Sequence, residues 1–264
     1  MTNLQTLQTT SRGIAWRADG PVDAPALLLL GSLGTTSDIW LPQIQPLSER
    51  YRVVRLDTRG HGQSDATAGT VALDDLGADA VSVLDAAGVE RVAVCGVSLG
   101  GMTAMWLAAH VPDRVRSLVA VSTGLKIGAR SMWEERIRQV RAGGTESIAD
   151  ASMGRWFTGR FRGAHPDVVS WCRAMLTGCP TDGYISCCGA LMNADLHAAA
   201  QRIVAPTIVI VGREDPVTPP ANAQGIVEHI AGARLLTLDA SHICAVEQPR
   251  AFNDAVLTFL GARS

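Results

Sequence analysis

Short apolar runs recur along the chain, at residues 27–30, 53–56 (interrupted only by Arg55), 92–95, 118–121, 207–211 and 235–238. None shows sustained polar alternation, so each predicts a strand covered on both faces, as in a parallel sheet. Between most of them lie stretches long enough for a crossover helix, at 74–87, 103–110 and 221–230, and the chain therefore reads as a βαβ series. The segment 14–17 predicts an antiparallel hairpin at the sheet edge.

From residue 126 to 203 the alternation stops. This stretch carries helical patterns with Trp133, Trp156 and Trp171, and the strand series resumes at Ala205-Pro206-Thr207 as if uninterrupted. The prediction is an α/β core of residues 1–125 and 204–264, with a helical cap at 126–203 inserted between sheet strands. Residues 92–112 contain no Asp, Glu, Lys or Arg, and about 20 such residues can span a bilayer. Gly96, Gly100 and Gly101 around a serine point instead to a buried strand, a tight turn and a buried helix, so no membrane partner is expected.

That turn carries the first candidate chemistry. Gly96-Val97-Ser98-Leu99-Gly100 follows a predicted strand and precedes a predicted helix, the context of a nucleophile elbow, in which side chains at 96 and 100 would collide with neighbouring backbone. A serine hydroxyl needs a base, so a His and an acid are expected downstream in the order Ser, acid, His. Asp215 lies just past the run 207–211, and His242 just past 235–238. Asp215 orients the imidazole, and His242 activates Ser98 and later protonates the leaving group. Glu214 and Asp239 compete for the acid role, Glu214 facing the opposite way from Asp215 and Asp239 occupying a turn position. Of the other histidines, His61 and His110 read as turn and helix-end residues, while His165, His197 and His229 have no strand end beside them. The backbone N–H of Leu99, after the nucleophile, and that of Leu33, in the Gly31-Ser32-Leu33-Gly34 loop, are the expected oxyanion donors.

Composition narrows the class. The chain has 264 residues, 47% hydrophobic and 18% charged, which suits one globular domain with an insertion and excludes a disordered or coiled-coil protein. A net charge of −2 provides no basic field for nucleic acid. The six cysteines are too irregular for a disulfide framework, and Cys172, Cys179, Cys187 and Cys188 lack the paired spacing of a zinc site. No metal is expected. The N-terminus lacks a basic start followed by an apolar stretch, which predicts a cytoplasmic protein.

The chain resembles the α/β-hydrolase superfamily and, more narrowly, the 3-oxoadipate enol-lactonases of aromatic degradation. The likeness is carried by Gly31-Ser32-Leu33-Gly34-Thr35 with Trp40, Asp57-Thr58-Arg59-Gly60-His61-Gly62-Gln63-Ser64 and the elbow itself. It continues in Arg155-Trp156-Phe157-Thr158, Gly183-Tyr184 with Cys188, Asp215-Pro216-Val217-Thr218 and Leu238-Asp239-Ala240-Ser241-His242. The chain departs from the family at Gly31, where many members carry Asn, and at Ile243-Cys244-Ala245. The resemblance implies a mostly parallel twisted sheet flanked by helices under a helical cap. It also implies cofactor-free hydrolysis of 3-oxoadipate enol-lactone to 3-oxoadipate, in the protocatechuate and catechol (β-ketoadipate) route.

Charge distribution bears on the substrate. Residues 126–180 carry +4 and the remainder −6, which reads as a basic lid over the nucleophile. Arginine suits a substrate carboxylate because its fork donates two parallel hydrogen bonds. Trp133 and Arg136, near the start of the cap, are the candidates for lining the pocket, and a small anionic lactone is the expected partner. A general carboxylesterase or a cofactor-free perhydrolase keeps the same three residues with another substrate. A catalytically silent binding protein of this fold typically lacks one of the three, and a haloalkane dehalogenase needs Asp at position 98.

Overall fold

The structure, a computed structural model, describes residues 6–65 and 69–262. The first five residues, part of the N-terminal stretch read above for a leader, lie outside the described residues.

Eight strands form one sheet: β1 Gln8–Thr9, β2 Ala15–Asp19, β3 Ala26–Leu30, β4 Arg52–Leu56, β5 Val92–Val97, β6 Val115–Val121, β7 Thr207–Gly212 and β8 Arg234–Leu238. Their spatial order is β1-β2-β4-β3-β5-β6-β7-β8. The β1–β2 and β2–β4 pairs are antiparallel, with Trp16 opposite both Gln8 and Leu56. The remaining pairs are parallel. Segment 14–17 thus belongs to the edge hairpin its pattern predicts.

Every residue of β3, β5 and β7 is buried, which is why these runs show no alternation. The run 235–238 behaves differently. β8 is the sheet edge with only β7 beside it, and Arg234 and Leu235 are exposed. The expectation of a strand covered on both faces is corrected there, because at the edge of the sheet the helical layers thin out and the helix that packs on β8 is Pro220–His229.

The helices before β6 are α1 Leu41–Ser48, α2 Leu73–Ala86 and α3 Leu99–His110. Helix α1, with Pro42 in its first turn and Pro46 inside it, has no counterpart in the sequence reading. Helix α3 packs on β5 and β6, is buried on nearly every side, and accounts with β5 for the uncharged stretch 92–112. No helix among the described residues is long and apolar enough to cross a membrane.

Between β6 and β7 stand α4 Arg130–Gly143, α5 Ala149–Trp156, α6 Gly159–Ala164, α7 Pro166–Thr177, α8 Thr181–Asn193 and α9 His197–Ala200. Helix α4 packs on α8, and α5 on α7. The chain then returns to the core through β7, α10 Pro220–His229, β8, α11 Cys244–Glu247 and α12 Pro249–Gly261. The C-terminal ends of the parallel strands, where ligands bind in open α/β sheets, therefore face the inserted helices.

Candidate active site

Ser98 occupies the single residue between β5 and α3, with φ 57° and ψ −114°. A non-glycine residue pays for such a backbone in strain, and here the surroundings impose it. Ser98 N–H donates to Val121 O at 2.9 Å, and the Thr123 hydroxyl donates to Ser98 O at 2.8 Å. The flanking glycines leave no alternative: a Cβ on Gly96 would lie 2.0 Å from Gly100 O, and one on Gly100 would lie 2.3 Å from Leu30 O.

His242, in the loop after β8, meets Asp215, in the turn after β7. Its Nδ1 lies 2.8 Å from Asp215 Oδ2, with both side chains almost wholly buried. A carboxylate only accepts, so Nδ1 carries the proton and Nε2 is left as the base. Asp215 Oδ1 also accepts from Val217 N–H (2.8 Å) and Thr218 N–H (3.0 Å), and Oδ2 from the Thr218 hydroxyl at 2.7 Å. Burial pushes this carboxyl upward, but the charge of His242 and the hydrogen bonds from His242 and Thr218 outweigh it and hold the group below its usual range. Glu214 and Asp239 do not reach His242. Both face Arg160, at 2.7 Å and 3.1 Å.

Ser98 and His242 line one cavity of about 260 Å³, together with Ser32, Leu33, Trp133, Arg136, Arg155, Trp156 and Tyr184. The loop after β3 is held against α3 by Gly100 N–H donating to Gly31 O at 3.0 Å, and it is folded on itself by Thr35 N–H and hydroxyl, which both donate to Ser32 O. Among the described residues, neither this loop nor the helix uses the N–H groups of Leu33 and Leu99, which leaves them as the available donors. At Gly31 an added Cβ would lie 2.9 Å from Thr35 Oγ1, so the Thr35 hydroxyl occupies the space of a larger side chain.

The sequence reading left His61 as a turn residue, whereas the structure makes it part of the site's frame. His61 is fully buried, with Nδ1 3.1 Å from Arg59 O and Nε2 accepting from Gly34 N–H at 2.9 Å. This contact joins residues far apart in the chain, and no local pattern announces it.

The basic lid also resolves into something narrower. Arg130 pairs with Glu134, Arg138 with Glu135, Arg160 with Glu214 and Asp239, and Arg173 with Glu146 and Asp150. Much of the excess charge is thus neutralised at the surface. Arg136 and Arg155 line the cavity, and among the described residues neither has a carboxylate in ion-pair range. Burial first, and then the charge of Arg136, pull the Arg155 guanidinium below its ordinary value. Two like charges held in one cavity give it a positive field. Trp133 donates its indole N–H to Ile127 O at 2.6 Å, which fixes its ring in the wall. Burial pushes the neighbouring Tyr184 phenol up, so it remains a neutral hydroxyl beside Arg136. Arg155 and Tyr184 stand in the motifs that carry the family resemblance, but nothing in those motifs says that the fold turns them towards Ser98.

Comparison with known proteins agrees with this architecture. A family model described as alpha/beta hydrolase fold matches residues 25–143. The chain is 40% identical over 251 residues to 3-oxoadipate enol-lactonase 2 of Acinetobacter baylyi, covering 95% of this chain and 94% of the relative. It is 34% identical over 255 residues to 3-oxoadipate enol-lactonase 1 of the same organism, covering 96% of each. The crystal structure of an enol-lactonase from Burkholderia xenovorans superposes with a TM-score of 0.94 at 36% identity, over 97% of this chain and 100% of that one. With overall identity at this level over nearly its whole length, the chain belongs to the α/β hydrolases and, within them, to the 3-oxoadipate enol-lactonase family.

Proposed function

We propose that the protein hydrolyses 3-oxoadipate enol-lactone, a five-membered enol lactone with an acetate arm, to 3-oxoadipate. The observation that carries this reading is one small cavity with Ser98 and His242 on its wall and two unneutralised guanidinium groups, Arg136 and Arg155, beside them. At about 260 Å³ the space lies just below the usual range of ligand sites, about 300–1,000 Å³, and suits a compact substrate.

In this mechanism the acetate carboxylate rests on the two arginines and the ring carbonyl faces Ser98. His242 Nε2 takes the serine proton as Oγ attacks the carbonyl, and Asp215 stabilises the imidazolium. The N–H groups of Leu33 and Leu99 receive the developing oxyanion. The ring C–O bond then breaks, the departing enolate oxygen takes the proton from His242, and the enol tautomerises to the ketone. Water, deprotonated by His242, attacks the acyl ester; Ser98 regains its proton and the second carboxylate is released. Each proton moves between substrate, Ser98, water and His242, so the reading involves no cofactor and no metal.

We read residues 126–203 as the cap that determines substrate choice over the chemistry of Ser98, Asp215 and His242. A cytoplasmic role in the breakdown of aromatic rings goes with the reading, supported by six buried cysteines present as free thiols. A neutral carboxylic ester is the second reading, favoured by the apolar wall of Ile127, Trp133, Trp156, Leu191 and Val217. Loss of enol-lactone absorbance with purified protein, beside a p-nitrophenyl ester control, separates the two. Turnover of the lactone far above the ester supports the lactonase, and activity on the ester alone overturns it.

A further inference from the structure

Residues 155–158, at the end of α5 and just beyond it, are fastened to the segment that carries His242. The Ser241 hydroxyl donates to Arg155 O at 2.8 Å, and Ile243 N–H donates to Trp156 O at 3.0 Å. At the centre of the junction is Glu247, only 5% exposed, in the short helix α11. Its Oε2 accepts from Thr158 N–H at 3.3 Å and from Ser241 N–H at 3.0 Å, while Oε1 accepts from the Thr158 hydroxyl.

All of these partners are donors and none is a cation. A buried carboxylate in such a place is tolerated only because each contact is satisfied, and a carboxamide that keeps its oxygen on the two N–H groups would put its NH2 where the Thr158 hydroxyl now donates, so that hydrogen bond is lost or must reverse. Its two ends meet different parts of the site. Ser241 precedes His242, and Thr158 lies three residues after Arg155. His242 has an independent anchor in Asp215, at 2.8 Å. The hydrogen bonds that tie segment 155–158 to the loop of the catalytic histidine run through Ser241, Ile243 and Glu247.

We infer that Glu247 is a positioning residue that sets the reach between the Ser98–His242 pair and the Arg155 guanidinium, and thereby selects substrates whose carboxylate lies at the matching distance from the scissile carbonyl. The inference rests on the proposed reading of Arg155 as a receiver of the substrate carboxylate.

The test compares wild type, Glu247→Gln, Thr158→Val, Arg155→Ala and the double variant Arg155→Ala/Glu247→Gln. The substrates are the enol lactone and two aryl esters, anionic p-nitrophenyl hydrogen succinate and neutral p-nitrophenyl butyrate. Glu247→Gln is expected to raise KM for both anionic substrates about tenfold and to leave kcat/KM for the neutral ester within about threefold. In the Arg155→Ala background the same change is expected to add nothing, because the two residues act in one unit. Thr158→Val keeps the carboxylate and removes one donor, so a smaller loss of the same kind is expected, and this variant decides the matter if Glu247→Gln fails to fold. Equal losses on anionic and neutral substrates, multiplicative losses in the double variant, or no anion-specific loss in Thr158→Val overturn the inference. A wild type that leaves the lactone intact overturns the proposed function alone, and the ester pair then judges Glu247. A wild type and an Arg155→Ala variant that treat the two esters alike overturn the reading of Arg155 as the receiver of the carboxylate and, with it, the inference about Glu247.

Discussion

The imidazole of His61 accepts the backbone N–H of Gly34 across 2.9 Å, so a side chain buried in one turn holds the loop that presents Leu33 to the cavity. The contact requires an unprotonated Nε2, since Nδ1 faces the carbonyl of Arg59. Burial lowers the pKa of this histidine in the folded protein. In the unfolded chain the group titrates near its ordinary value of about 6.5. Above that pH both states are neutral and His61 contributes no slope. Below it the unfolded state takes up a proton that the folded state refuses, and stability falls by up to about 1.4 kcal/mol per pH unit until the folded state also protonates. Thermal melts between pH 7 and pH 5 are expected to show this loss, and His61→Asn is expected to flatten it. An unchanged slope in the variant would show that another group is responsible.

Ser98 combines the reactive hydroxyl with a left-handed backbone. Ser98→Ala is expected to fold and to lose activity by about 10⁴-fold or more. Ser98→Gly is equally inactive, but a φ of 57° costs it little, and denaturant titration is expected to show a gain of about 1 kcal/mol in stability. A glycine variant no more stable than the alanine one would mean that the elbow stores no strain.

Arg136 and Arg155 are expected to separate anionic from neutral substrates. A hydrogen bond to a charged group contributes about 1.5–3 kcal/mol, so either change to alanine should weaken the lactone's kcat/KM by roughly 10- to 150-fold while sparing a neutral aryl ester. Because the two guanidiniums repel across the cavity, Arg155→Met is expected to leave the melting temperature unchanged or slightly raised. Steady-state kinetics and a thermal melt of the same preparation check both points.

The six cysteines are buried, and burial pushes the thiols of Cys172, Cys187 and Cys244 up to about 12. A thiolate is the reactive form, so the native protein should be silent towards a disulfide reagent such as dithionitrobenzoate at neutral pH. All six thiols are expected to react once the chain is denatured. Rapid modification of the native protein, or loss of activity on treatment, would contradict this.

The parallel strands and the placement of Ser98, Asp215 and His242 just past their ends were legible because each depends on local pattern. A fully buried run marks a strand, and the turn after it exposes what it carries. The sheet edge was not legible, since the run 235–238 is as apolar as the interior ones and only its position leaves it uncovered. His61, Arg155 and Glu247 escaped for a different reason. The partners of His61 and Glu247, Gly34 and Thr158, lie 27 and 89 residues away, Arg155 reaches the cavity beside Arg136 only once the inserted helices pack, and their types alone are those of ordinary turn or surface residues. Charge counting found the excess in residues 126–180, but the pairing that cancels much of it and leaves two arginines on the cavity wall is a property of the folded arrangement.

The hydrogen bonds from Ser241 and Ile243 to the backbone of Arg155 and Trp156 redraw the unit that an engineer would exchange. Judged by chain order, the inserted helices could be cut at their two junctions with the sheet and replaced by those of a relative. The contacts assign residues 241–247 to the same exchangeable piece, although they follow the insertion by a strand, a helix and another strand. A chimera that keeps this loop with the foreign cap should retain matched recognition and chemistry. One that leaves it behind with the core joins two halves of a site whose spacing was set by different partners.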